Sequence, residues 1–334
     1  NMISHTIIKA LSILCIGTFP QDSFISESYG QDSVECIKCE DYEIGDVFDY
    51  NGKKITVADA DIIQRAIKMK KDLSLFCTSH ITDMSYLFSK MPEFNQDISG
   101  WDVSNVTDME GMFYMASSFN YNLNSWDVSK VANMERMFAK ALSFVGNISD
   151  WDVGNVYSMS EMFAGDSLFN RDLSEWNTTS LLDISGMFRD AKSFNQSLSN
   201  WNVSAVVTMS ETFAGCFNFN QDLSKWDVSN VSDMTALFMS AKNFNHDIGY
   251  WNTSKVIKMD YMFSSASSFD QDIGDWNVSK VEGMLEMFLG ASEFNQDLSE
   301  WCVVRIKEEP WDFSFDSDFA ETNTPKWGEC PVGN

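Results

Sequence analysis

Histidine is nearly missing from this 334-residue chain. There are three, and beyond the first 30 residues only His80 and His246 remain, in unrelated segments. Catalysis by a paired imidazole has no material to work with, and neither does a histidine-completed zinc site. No phosphate-cradling glycine loop, nucleophile elbow or zinc signature occurs. Basic charge is also short. The 23 Lys and Arg face 49 Asp and Glu, for a net charge of −26. A polyanion of this kind is repelled by nucleic acid and by anionic membranes, so neither is expected as a partner. A membrane-spanning run is lacking too: the one apolar stretch, residues 2–19, is too short for a confident span.

What the chain has instead is a period. Tryptophan recurs every 25 residues at Trp101, Trp126, Trp151, Trp176, Trp201, Trp226, Trp251, Trp276 and Trp301, with no insertion. Phenylalanine keeps step in two columns, Phe88 to Phe288 and Phe94 to Phe294. A methionine column runs from Met84 to Met284, with Ile184 as its one substitute, and an Ile/Leu column runs from Ile98 to Leu298. A small-residue column holds Ala116, Ala141, Ala191, Ala241, Ala266 and Ala291, with Cys216 in the same slot. A fixed period of this size predicts an α/β repeat solenoid rather than one globular core. The apolar columns read as its interior. The carboxylates are plentiful, but repetition makes them structural rather than a unique active site, and the chain is expected not to be an enzyme.

Inside one repeat, Val106, Met109, Met112, Phe113 and Ala116 are spaced three to four apart, which predicts a short helix over TDMEGMFYMA. Trp101 and Val103 alternate with Asp102 and Ser104, which predicts a short strand, with a bend near Ser99. The tryptophan indole is expected to pack inside and to donate its N–H to a carbonyl of a neighbouring loop.

The full pattern, F-N-Q-D-[IL]-S-x-W-[DN]-V-S-x-V-x-x-M-x-x-M-F, resembles the BspA-like leucine-rich-repeat surface proteins, in the 25-residue subfamily also found in mycoplasma lipoproteins. The match covers about residues 72–306. The resemblance implies a leucine-rich-repeat-like solenoid with one short parallel strand and one short helix per repeat. It also implies a secreted or cell-surface protein concerned with adhesion.

The ends differ from the middle. Residues 1–26 read as a signal peptide: His5 and Lys9 precede an apolar run. Residues 27–71 form an acidic segment and cap. Asn51-Gly52 between alternating residues predicts a hairpin over 47–57, and residues 57–71 predict an amphipathic helix with Ile63, Ile67 and Met69 on one face. The solenoid occupies 72–306, with Phe76 where tryptophan would stand, and a C-terminal cap and tail without period follows over 307–334. Cys302 and Cys330 bracket that tail and are expected to pair. Cys77 holds the same repeat position as Cys302 and is expected to pair with Cys36 or Cys39 of the C-x-x-C segment. Cys216 is expected to be a buried thiol.

The exposed side of the strand is the candidate binding face. Its central column is Asp102, Asp127, Asp152, Asn177, Asn202, Asp227, Asn252 and Asn277, flanked by variable positions such as Glu175, Lys225 and Tyr250. Continuous faces of this kind are what solenoids use for binding. The plainer alternative is that each Asp or Asn bonds its own turn. A second column, Asp97, Asp172, Asp222, Asp247, Asp272 and Asp297, raises calcium as a stacked-carboxylate ligand, although the repeat lacks the Gly-Asp density of calcium-binding arrays. The partner expected is an extracellular protein or polysaccharide. A self-packing structural component and a calcium-dependent scaffold stand as alternatives.

Overall fold

Backbone N–H groups in each 25-residue period bond alternately within the period and to the next one, and that alternation builds the molecule. The computed structural model describes residues 36–331. Over 109–119 the chain closes a run of tight turns: the N–H groups of Met112, Tyr114, Ala116 and Phe119 donate to the carbonyls three residues back, at 2.9–3.2 Å. The residues between them donate outward. Met109, Gly111, Phe113 and Met115 bond the carbonyls of Asn133, Glu135, Met137 and Ala139 in the following coil, at 2.8–3.0 Å. This scheme repeats along the molecule, so each coil is hydrogen-bonded to its neighbour.

The helix expected at this place is therefore not formed. A helix would consume every N–H within its own coil, whereas here half of them hold the next coil. Left-handed residues enforce the difference: Gly111 and Met115 have φ of 55° and 61°, and the equivalent residues of most other coils are left-handed as well. The expected strand at Trp101–Val103 is also absent. Trp101 N–H closes a turn on Ile98, and Val106 N–H closes another on Val103, so this part of the coil is two corners rather than an extended segment. The bend foreseen near Ser99 lies within the first of them. Trp101 bridges Ile37 of the N-terminal segment, and the bridge pairing from coil to coil falls elsewhere, on a parallel row through Asp83, Asp108, Asn133, Ser158, Asp183, Thr208, Asp233, Lys258 and Gly283. Beside it, Thr107 N–H donates to Thr82 O at 2.8 Å, and the contact recurs from coil to coil.

The columns stack in the interior as their register predicts. Consecutive rings of the first phenylalanine column lie 5.3–5.9 Å apart, as in Phe113–Phe138 and Phe188–Phe213. Within a coil the two columns face each other at about 4 Å, as in Phe138–Phe144. Every tryptophan indole of the repeat donates to the Ile/Leu-column carbonyl of the coil before it, for example Trp126 to Ile98 O at 3.2 Å and Trp201 to Leu173 O at 2.9 Å. The bond makes burial of the indole tolerable, since an unpaired N–H in the core would forfeit a hydrogen bond to water.

The N-terminal segment holds a hairpin and a helix shorter than the 57–71 expected. Strands β1 (Val47–Tyr50) and β2 (Lys53–Val57) make the hairpin, with Asn51 and Gly52 both left-handed. Helix α1 (Ala60–Lys68) follows, its N-terminus capped by Asp59 accepting from Ile62 N–H at 2.8 Å. It buries Ile63 and Ala66 against the first coil, while Met69 lies past its end and is exposed. Strand β3 (Phe76–Cys77) pairs in parallel with β2 and leads into the stack. Cys39 bonds Cys77 and Cys302 bonds Cys330, so each end carries one disulfide. Cys216 is a buried thiol in the alanine column.

Two features depart from the sequence reading. The C-terminal segment keeps the period longer than expected: Phe313 and Phe319 continue the phenylalanine columns, and Phe288 N–H bonds Phe313 O at 2.8 Å. And the alanine column contains Asp166, fully buried, with no hydrogen-bond partner for either carboxylate oxygen. The expected signal peptide, residues 1–26, lies outside the described residues.

Candidate functional site

The candidate column does not stand on a strand. Each of its eight side chains accepts the N–H two residues on, from Asp102 to Ser104 at 3.1 Å through Asn277 to Ser279 at 3.1 Å. These are Asx turns, and they hold the corner that follows tryptophan. Asp102 is buried as well: its other oxygen accepts from Ser79 Oγ at 2.6 Å beneath the N-terminal cap. The remaining seven are exposed, each with one oxygen committed. The carboxyl of Asp227 is held below its usual range chiefly by the Ser229 hydroxyl and then by the Ser229 N–H. Glu175, Lys225 and Tyr250 project outward two positions earlier, and Tyr250 is 88% exposed.

The second carboxylate column behaves alike. Asp97, Asp172, Asp222, Asp247, Asp272 and Asp297 each accept the N–H two residues on at 2.9–3.0 Å. One carboxylate per coil does not gather a coordination shell, and among the described residues no group of three or more His, Cys, Asp or Glu converges on a common point. A third polar ladder completes the motif. Asn120 N–H donates to Asn95 Oδ1, Asn220 N–H to Asn195 Oδ1 and Asn295 N–H to Asp270 Oδ1, each at 2.9–3.2 Å. The invariant polar letters of F-N-Q-D-I-S-x-W-D-V are thus spent on internal bonds.

The surface left to vary lies on the bridged side. The residue before each bridge position faces outward: Thr107, Ala132, Tyr157, Leu182, Val207, Ser232, Ile257 and Glu282. Tyr157, Leu182 and Val207 occupy consecutive coils and are each 47% exposed, and Ile257 is 39% exposed. Their backbones form one ladder, with Leu182 N–H on Tyr157 O and Val207 N–H on Leu182 O at 2.9 Å. An exposed apolar row on so acidic a protein is the kind of patch that marks an interaction site. Two positions earlier in each coil runs a row containing Lys130, Lys255, Lys280 and Arg305. Lys130 and Lys255 each bond the asparagine of the preceding coil, Asn105 and Asn230, and Arg305 pairs with Glu282. Sequence reasoning missed this apolar row because it placed the strand at the wrong corner. The signal was present as a variable slot directly after an invariant aliphatic one, at Val156-Tyr157, Leu181-Leu182 and Val206-Val207.

A protein-family model described as "Mycoplasma protein of unknown function, DUF285" matches three overlapping stretches, residues 58–163, 143–237 and 207–327. No curated protein and no solved structure matches the chain. Among the described residues no helix is long and apolar enough to cross a membrane.

Proposed function

The chain belongs to the family of Mycoplasma proteins of unknown function, DUF285, and we propose that it is a non-enzymatic binding module, secreted or displayed at a cell surface, that grips an extracellular protein along its bridged face. The coil stack is read as a solenoid of the leucine-rich-repeat kind in the broad sense, with turns and bridges in place of helices and strands. The observation that carries the reading is the row Tyr157, Leu182 and Val207, continued at Ile257, exposed along one hydrogen-bonded ladder. Repeat proteins bind through such rows because adjacent coils present side chains at regular spacing on a rigid support. The two disulfides support an oxidising, extracellular location. The Asx-bonded carboxylates support a structural role, which leaves variable side chains to supply specificity.

The test is binding of the secreted protein to a panel of extracellular matrix proteins and polysaccharides. A saturable protein partner should be lost at least tenfold in Leu182→Glu and Val207→Glu, while Asp127→Asn binds as the parent does. Concentration-dependent self-association abolished by Leu182→Glu would replace this reading with a self-packing coat component. Binding indifferent to both glutamate substitutions would remove the bridged face from consideration.

A further inference from the structure

The two disulfides sit in opposite surroundings. Cys39 and Cys77 are 1% and 0% exposed, sealed in a small apolar cluster with Ile55 and Val57 and with Phe48 and Tyr50 packed around it. A thiol dissolved in water meets neither sulfur while the N-terminal segment is folded. At the other end Cys330 is exposed and Cys302 half-buried. Both line an open cavity of about 500 Å³, together with Asp275, Trp276 and Glu300. A cavity of that size admits a small molecule beside the sulfurs.

The exposed bond ties the terminal coil to the coil before it, across 28 residues of sequence. Other contacts share that task. Phe288 N–H bonds Phe313 O, Gly290 N–H bonds Phe315 O and Leu298 N–H bonds Asn323 O, at 2.8–2.9 Å, and Phe313 is buried. Opening the disulfide therefore leaves the terminal coil seated on these contacts, and the chemistry needs no unfolded protein. The charge of the cavity decides which thiol fits. Its lining holds two carboxylates, Asp275 and Glu300, and no cation. Glu329 adds a third beside Cys330. Along the chain the nearest cations are Lys280, Arg305 and Lys326; none lines the cavity, and Arg305 is paired with Glu282. The attacking form of a thiol is its anion. The carboxylates repel it, and an ammonium on the same small molecule offsets that repulsion.

We propose that Cys302–Cys330 is a thiol-exchange site for small aminothiols, and that Cys39–Cys77 is not. The thiolate sulfur bonds Cys330 Sγ, the more exposed of the two. The Sγ–Sγ bond breaks, and Cys302 leaves as a thiolate that takes a proton from water. The product is a mixed disulfide on Cys330 and a thiol on Cys302. A second aminothiol displaces the first as its symmetrical disulfide and leaves Cys330 reduced. The protein has then gained two electrons and two protons, and the aminothiol pair is oxidised. The cavity shares no residue with the bridged row, so the modification is independent of any partner held there.

The experiment treats the full, folded chain with cysteamine, with neutral 2-mercaptoethanol and with anionic mercaptoacetate. Each rate is divided by that reagent's rate with a neutral disulfide standard, which removes the reagents' own differences in nucleophilicity. Acid quenching, alkylation and peptide mass mapping read each cysteine, while circular dichroism follows the fold. Cys302 and Cys330 should react at least tenfold faster than Cys39 and Cys77, and the gap should close in denaturant. The first adduct should sit on Cys330. Cysteamine should open the bond roughly threefold faster than mercaptoacetate at low salt, with the difference fading at high salt and in the double variant Asp275→Asn, Glu300→Gln. Equal reaction of both disulfides in the folded protein, a first adduct on Cys302, or no reaction before unfolding would overturn the exchange site. Mercaptoacetate matching cysteamine at low salt would overturn its preference for aminothiols.

Discussion

Asp166 shows what one residue does inside a stacked core. It fills a slot that alanine takes in the coils on either side, at Ala141 and Ala191, and both of its oxygens lack partners. Burial pushes its acid up to about 8, outweighing the nearby Leu168 and Phe169 N–H groups, which favour the charged form without reaching hydrogen-bond geometry. The folded state therefore keeps a proton that the unfolded chain releases near its ordinary value of 3.8. Stability contributed by this group is complete below about 3.8, falls by up to about 1.4 kcal/mol per pH unit above it, and levels off beyond about 8. Asp166→Ala should raise the melting temperature at neutral pH, by on the order of 3 kcal/mol in unfolding free energy, and should flatten that pH dependence. Thermal denaturation of both proteins at several pH values between 4 and 9 checks it; a destabilised alanine variant would refute the account. The tryptophans offer the complementary case. Trp201→Phe keeps a ring in the column but strips the Leu173 carbonyl of its donor, and should cost about 1–3 kcal/mol by chemical denaturation.

At the scale of the element, the unit of this fold is a corner held by a side chain. Asp227→Ala should remove the bond to Ser229 N–H and cost about 1 kcal/mol, as loss of a capping side chain does, while Asp227→Asn should be nearly silent. A denaturant midpoint for each variant decides it. The same corners explain how far the sequence could be read. The columns were legible because an unbroken period of identical residue types fixes which side chains meet. The hairpin was legible from Asn51-Gly52, and the N-terminal helix from Asp59 and its apolar face. The helix expected in every coil was misread because a three-to-four spacing fits a row of tight turns as well as it fits a helix. The left-handed residues that separate the two are mostly not glycines: Tyr86, Lys90, Met115, Arg136 and Lys140 carry positive φ with ordinary side chains. No local letter announces them, because neighbouring coils impose the conformation. Of the candidate face, the Asx role of the Asp and Asn column could be read from Asp-x-Ser and Asn-x-Ser. The apolar row arises from which coils lie side by side on a surface that the repeat does not fix.

At the scale of the molecule, each coil bonds only its neighbours, so stability should be shared along the stack. Deleting one whole period, residues 176–200, keeps every column in register and should leave a folded protein with a slightly lower melting temperature. Deleting 12 residues instead should prevent folding. Circular dichroism and thermal melts of the two deletions distinguish them. The end disulfides act differently from the interior bonds, because they close the terminal segments where a stack is open on one side. Reduction should cost about 2–4 kcal/mol per bond and bring unfolding on from the ends.

The alternating N–H pattern also sets how the stack would give way under tension. Force applied between its ends is carried by every junction in series, and the turn-row bonds of the weakest junction yield first. Each coil that peels away releases 25 residues, about 85 Å of slack. The Cys39–Cys77 and Cys302–Cys330 links hold back the terminal loops while the coils between them pay out. A stack of like coils loaded in this way would lengthen in a series of similar steps rather than in one event.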